Sequence, residues 1–174
     1  MVGMYRTLLE FWRKLDLTKK SQVHMMRMVN DKFLVGVTGV IFNADHEVLV
    51  VKHSYRRVQW SLPGGFLQAG EHPKQGLKRE IYEETNFKVR VEEIIKTQHD
   101  EDSARLDICI IGTFKKGVFK KSHEVIDYGF FSQDKLPPLI DDQYKQIELA
   151  TERYKELHAQ PFLKRFKNMF TLSR

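Results

Sequence analysis

Between Gly65 and Phe87 the chain reads GFLQAGEHPKQGLKREIYEETNF, a pattern of the form G-x5-E-x7-R-E-I-x-E-E-x-N-F. Within it Glu80, Glu83 and Glu84 stand at i, i+3 and i+4, so a helix over this stretch points all three the same way. Like charges stacked on one helix face repel, and a purely structural helix would intersperse lysines there. A hard divalent cation, in contrast, requires several oxygen ligands converging from a rigid element. The bland alternative is a solvated surface helix whose glutamates pair with lysines. The leading glycine, Arg79 and the apolar positions, all in place together, count against it.

The local signals predict that helix. Pro73 suits the first turn, and Leu77 and Ile81 form an i, i+4 apolar stripe able to face a core. Gly76 falls between Glu80 and Glu83 on the helical wheel, one turn earlier, where it is expected to leave the carboxylate face clear for a ligand. Arg79 precedes Glu83 by four residues and can hold that carboxylate. Asn86 follows the helix, where a residue tolerant of the left-handed conformation makes a C-cap.

The segment resembles the Nudix box, G-x5-E-x7-R-E-U-x-E-E-x-G-U with U apolar, and departs from it only at Asn86, where the family has glycine. Trp60-Ser61-Leu62-Pro63-Gly64-Gly65 is similar to the strand and turn that lead into the box in this family. The resemblance spans Phe33 to Leu157. It implies hydrolysis of a nucleoside diphosphate linked to another group, with Mg2+ (or Mn2+) as cofactor. It implies Glu80 and Glu84 as the prime metal ligands, Glu83 as a third and the Gly65 carbonyl as a backbone ligand, with Glu71 and Gly64 supporting the site. The chemistry of a diphosphate agrees: its charge must be neutralised before water attacks phosphorus, and a bound cation does this while acidifying a water. Members of the family take the general base from the box or from a later loop. The later candidate is Glu124, in Ser122-His123-Glu124-Val125, although a plain loop glutamate reads equally well. His123 and the acidic loop His99 to Asp102 are weaker candidates. Arg56, Arg57 and Tyr55 precede the box strand; the arginines suit phosphate oxygens and the tyrosine can stack on a base, the alternative being a solvated loop.

The rest of the chain bounds this reading. Its 174 residues suffice for one domain with additions, read as an N-terminal basic amphipathic extension over 1–30, a catalytic domain over 31–158 and a basic amphipathic tail over 159–174. Strands are expected at Phe33 to Phe42 and Val48 to Lys52 around the turn Asn43 to His46, at Trp60 to Leu62, Lys88 to Thr97, Arg105 to Phe114 and Val125 to Phe131. A second helix is expected over Asp141 to His158. Mixed strands enclosing two helices give the α/β fold class, an α/β/α sandwich with a mixed sheet, which is also the Nudix fold. The single cysteine, Cys109, excludes an intrachain disulfide and a cysteine-rich zinc site, and reads as an inert core thiol. No clean signal core and no span of ~20 apolar residues is visible, so a cytoplasmic protein is expected.

The flanks carry Leu8, Phe11, Trp12 and Leu15 at helical spacing, and the basic run Phe162 to Phe170. Such segments dock on their own domain or a homodimer partner more often than on a membrane surface. The net charge of +6 suits an anionic small molecule and also RNA, although no RNA-binding motif is visible. Substrate marks are sparse. No proline lies between Pro73 and Pro137, which weakens ADP-ribose, and no tyrosine between Tyr82 and Tyr128, which weakens dinucleoside polyphosphates. Trp60 is the last tryptophan, which weakens NADH; the upstream coenzyme A signature is missing too. The leading expectation is a nucleotide sugar or CDP-alcohol substrate. The alternatives are a nucleoside triphosphate (oxidised ones included) or an RNA 5′ end, and, in another class, a non-catalytic nucleotide-binding regulator.

Overall fold

Val40 to Phe42, Val48 to Val51 and Ile108 to Ile111 are apolar at consecutive positions, the mark of strands covered on both faces. The computed structural model, which describes residues 33–100 and 104–171 together with Thr18, Lys19 and Ser21, places all three runs in one sheet. Its strands are β1 Leu34–Phe42, β2 Val48–His53, β3 Trp60–Ser61, β4 Gly64–Phe66, β5 Lys88–Asp100, β6 Arg105–Lys116 and β7 Val125–Phe131. The helices are α1 Pro73–Thr85 and α2 Asp141–Thr171, with a 3-10 turn at Gln133–Lys135. The chain divides into units Met1–Phe33 and Leu34–Arg174, and every element named here belongs to the second.

The sheet order is β3-β2-β1-β6-β5, with β4 added on β1 and β7 on β2. Strands β1 and β6 run parallel from Leu34 opposite Arg105 to Phe42 opposite Thr113, while the other pairings are antiparallel. Alternate residues of each apolar run divide between two cores. Val40, Phe42, Val48, Val50 and Ile111 pack with Ile147, Ala150 and Tyr154 of α2. Ile41, Leu49, Ile108 and Ile110 pack with Leu77 and Ile81 of α1. One helix on each face of a mixed sheet is the expected α/β/α sandwich. Cys109 is buried in the α2 core, where burial pushes its thiol up to about 12, so it stays protonated and inert.

The elements depart from the sequence reading at their ends. Strand β4 was not foreseen as a strand; its Gly64 and Gly65 pair with Thr38 and Val37 of β1. The long hairpin of β5 and β6 extends to Asp100 and Lys116. Helix α2 continues past His158 to Thr171, because no glycine follows Asp141 to cap it and Pro161 alone does not end it. Among the described residues no helix is long and apolar enough to cross a membrane. The segments behind the expectations of a homodimer, RNA or membrane partner, residues 4–17 and the side chains of 162–170, lie outside what the structure describes.

Candidate active site

Helix α1 begins as its sequence requires. His72 is the N-cap, its Nδ1 accepting from the Lys74 amide at 3.2 Å, and Pro73 occupies the first turn. It ends on Asn86 at φ 64°, ψ 18°, the left-handed residue expected there, whose amide donates to the Tyr82 carbonyl. Leu77 and Ile81 are fully buried, which fixes the rotation of the helix and leaves Glu80 and Glu84 on its flank toward β4, with Glu83 exposed.

The three glutamates have different surroundings. Glu84 is 6% exposed, and its Oε2 accepts from the Gly64 amide at 3.3 Å. Burial, with smaller repulsion from Glu80 and Glu124, raises its pKa to about 8; Gly64 and Arg56 act in the opposite sense. Glu80 lies against Gly65 so closely that a Cβ there would stand 2.5 Å from the carboxylate carbon. Any larger residue at this position would have to displace that carboxylate. Glu83 is 57% exposed and turns to Arg79 at 3.1 Å.

Arg79 gathers more than Glu83. Its Nε and Nη2 donate to the two Glu71 oxygens at 2.9 and 2.8 Å, a bidentate fork, and Nη1 reaches Glu80 at 2.8 Å. Nη2 also donates to the Phe66 carbonyl at 3.1 Å, tying helix to strand. The Glu71 fork, ahead of the bonds to Glu80 and Glu83, holds Arg79 well above its ordinary pKa, and Arg79 in turn holds Glu71 below the usual carboxylate range. Glu71 also accepts from the Gln68 amide at 3.1 Å, which folds the loop before α1. Gly76 does not keep the carboxylate face open for a ligand. A Cβ there would overlap Leu67 and stand 3.0 Å from Glu71 Oε2; the glycine admits this loop.

Among the described residues no three acidic, histidine or cysteine side chains converge ready to bind a metal. Glu80 and Glu83 are drawn to Arg79 while Glu84 turns to Gly64. The donor set nonetheless fits a hard cation. Glu84 is a buried carboxylate that lacks a cationic partner at hydrogen-bond distance, Glu80 lies beside it, and both border the Gly64–Gly65 strand.

A cleft of about 270 Å³ lies along that strand, lined by Gly36, Thr38, Arg56, Gly64, Gly65, Phe66, Arg105, Asp107, Ile140 and Gln143. Arg56 enters it, donating to Ser61 Oγ at 3.3 Å and lying 5.7 Å from the Tyr55 ring. Ser61 is braced in turn by His53 at 2.8 Å, a histidine that burial and Arg56 push down to about 4 and so keep neutral. Arg57 is exposed and is not part of the cleft wall, so the expected arginine pair separates. Tyr55 is 62% exposed and, like Arg57, is not part of the cleft wall. Glu124 is exposed at the end of the β6–β7 loop, within electrostatic reach of Glu84, and its carbonyl accepts from the Ser54 amide at 3.0 Å. His123 is exposed beside it, and His99 lies on β5. Arg105, Asp107 and Gln143 were missed. Their strand and helix read as ordinary ones; the parallel pairing of β1 with β6 brings Arg105 and Asp107 to Gly36, while Gln143 of α2 reaches the cleft with its Oε1 accepting from the Leu62 amide at 3.3 Å.

Comparison with known proteins places this arrangement. The NUDIX domain profile matches residues 32–152. An ADP-ribose pyrophosphatase of Methanocaldococcus jannaschii is 28% identical over 120 residues, covering 66% of this chain and 70% of that protein. A MutT-like protein of Streptomyces ambofaciens is 38% identical over 60 residues, 34% of this chain and 38% of the relative's length. Among solved structures, an ADP-ribose pyrophosphatase from Streptococcus suis superposes with a TM-score of 0.62 at 26% identity, covering 71% of this chain and 93% of that one.

Proposed function

The chain belongs to the Nudix family, and from that premise we propose that it is a metal-dependent pyrophosphohydrolase. Its substrate is a nucleoside diphosphate linked to a second group, of the nucleotide-sugar or CDP-alcohol type. The observation that carries the reading is Glu84, a carboxylate buried without a cationic partner at hydrogen-bond distance, beside Glu80 and at the border of a cleft that holds Arg56. Leaving a carboxylate so placed is unfavourable in a merely structural helix and useful where a cation is to bind.

In this reading Glu80, Glu84 and the Gly65 carbonyl would hold Mg2+ or Mn2+, with Glu83 as a third carboxylate. When bound, the cation neutralises diphosphate oxygens and lowers the pKa of a coordinated water. Arg79 fixes Glu80 and the Glu71 loop in place. Arg56 carries a phosphate charge in the cleft. Glu124, free in solvent close to Glu84, takes the proton from the attacking water. The relatives named ADP-ribose pyrophosphatase support a diphosphate joined to a sugar even though the downstream proline is missing.

The test is turnover with Mg2+ or Mn2+ of ADP-ribose, other nucleotide sugars, CDP-alcohols, nucleoside triphosphates and 5′-triphosphorylated RNA, with Glu84→Gln alongside. Activity on a nucleotide-linked diphosphate that Glu84→Gln abolishes supports the reading. Nucleotide binding with no turnover on any member of the panel makes the chain a binding protein instead.

A further inference from the structure

Arg105 and Asp107 stand two residues apart on β6 and so leave the same face of the strand. Arg105 donates Nε to Oδ2 of Asp107 at 2.8 Å, and its Nη2 makes an ion pair with the same oxygen at 2.7 Å. Oδ1 is left as an acceptor without a donor among the described residues. Its location is set by the opposite strand. Gly36 is the direct parallel partner of Asp107, and a Cβ on Gly36 would overlap Oδ1. The carboxylate therefore leans over the bare Gly36 backbone into the cleft, on the side where the Gly65 carbonyl lies 3.9 Å from the same point.

The strand order β4-β1-β6 thus gives the cleft two chemically different sides. Arg56 carries the only unpaired side-chain cation among the described residues that line it, on the side near Glu84. On the other side Arg105 is already committed to Asp107, and the group presented is a carboxylate oxygen that can only accept. A further phosphate seated there would meet an anion, whereas sugar hydroxyls would each offer a donor.

We propose that Asp107, oriented by Arg105 and admitted by Gly36, is the specificity-determining residue of the cleft: its Oδ1 accepts hydroxyl donors from an uncharged sugar beyond the diphosphate and disfavours a third phosphate. This rests on the reading of the cleft as the diphosphate site, and it deepens that reading from a nucleotide-linked diphosphate in general to a nucleotide sugar.

ADP-ribose and ATP share their nucleoside and differ in the group beyond the second phosphate, so they isolate this side. Their dissociation constants are to be measured by calorimetry with Mg2+ in a Glu84→Gln background, which prevents turnover. ADP-ribose is expected to bind at least about tenfold more tightly than ATP, the value of one hydrogen bond to a charged group. Adding Asp107→Ala should erase that preference and Asp107→Asn, of the same shape, should reduce it. Gly36→Ala, which leaves Asp107 present but displaces its oxygen, should do the same. A background protein with no preference for ADP-ribose, or one whose preference stays within twofold in all three variants, overturns the proposal. Wild-type turnover is read separately: if the preference behaves as expected but nothing is hydrolysed, the hydrolase reading fails and the recognition stands.

Discussion

The Asn86 side chain donates Nδ2 to the Val118 carbonyl at 3.0 Å, joining the end of α1 to the loop between β6 and β7. The Lys120 amide adds a bond to the Thr85 carbonyl at 3.1 Å on the same side. Asn86 is the position where the Nudix box has glycine, and here it both adopts the left-handed conformation and latches the loop that ends on Glu124. Two effects can then be separated. Asn86→Gly removes the latch and relaxes the backbone, so it is expected to cost about 0.5–1 kcal/mol of stability. Asn86→Ala loses the latch and strains φ as well, for about 1–3 kcal/mol. Urea denaturation measures both. If the loop positions Glu124, Asn86→Gly also lowers kcat with KM little changed.

Much of the α1 region was legible because its determinants are local: Pro73 at the start, Leu77 and Ile81 on one face, Asn86 at the end. The sheet's two-sided burial was likewise written in Val48 to Val51 and Ile108 to Ile111. What the sequence withheld depends on distant pairing. Nothing in the spacing distinguishes buried Glu84 from exposed Glu83, since that follows from where β4 passes. The Arg79–Glu71 fork escaped because Glu71 lies in a loop eight residues away, off the helix face used to pair Arg79 with Glu83. Gly76 was misread for the same reason: its neighbour is that loop. Arg105 and Asp107 acquire meaning only when β6 lies parallel to β1.

Arg79 makes four kinds of contact that one lysine cannot reproduce, because an ammonium has no planar fork. Arg79→Lys is expected to lower kcat/KM by about 100-fold, as Glu80 and the Glu71 loop lose their common anchor. The stability loss should stay at about 1–2 kcal/mol, since the site is partly open to solvent. Steady-state kinetics and thermal melts of the variant check the two numbers.

Arg56 and Arg57 are neighbours with opposite expected phenotypes. Arg56 enters the cleft and is braced through Ser61, while Arg57 is exposed outside its wall. Arg56→Ala should raise KM about 10- to 100-fold through loss of a charge-assisted phosphate contact. Arg57→Ala should change neither KM nor kcat by more than about twofold, as surface substitutions generally do. Equal effects on both would place the diphosphate elsewhere.

Glu84 couples the site to pH. Burial raises its pKa from the ordinary 4.5 to about 8, so the folded state holds this proton more tightly than the unfolded chain does. The metal-free protein therefore gains stability from Glu84 protonation at low pH and loses it as pH rises from 4.5 to about 8, by up to about 1.4 kcal/mol per unit. Glu84→Gln, permanently neutral, should remove that slope in thermal melts taken with EDTA. Cation binding has the opposite dependence because the ligand must be deprotonated. Magnesium affinity should rise up to about tenfold per pH unit until about pH 8 and then level, with a proton released on binding below that value. Calorimetry in two buffers of different ionisation enthalpy reads the proton directly. An affinity flat between pH 6 and 8 would remove Glu84 from the cation's ligands.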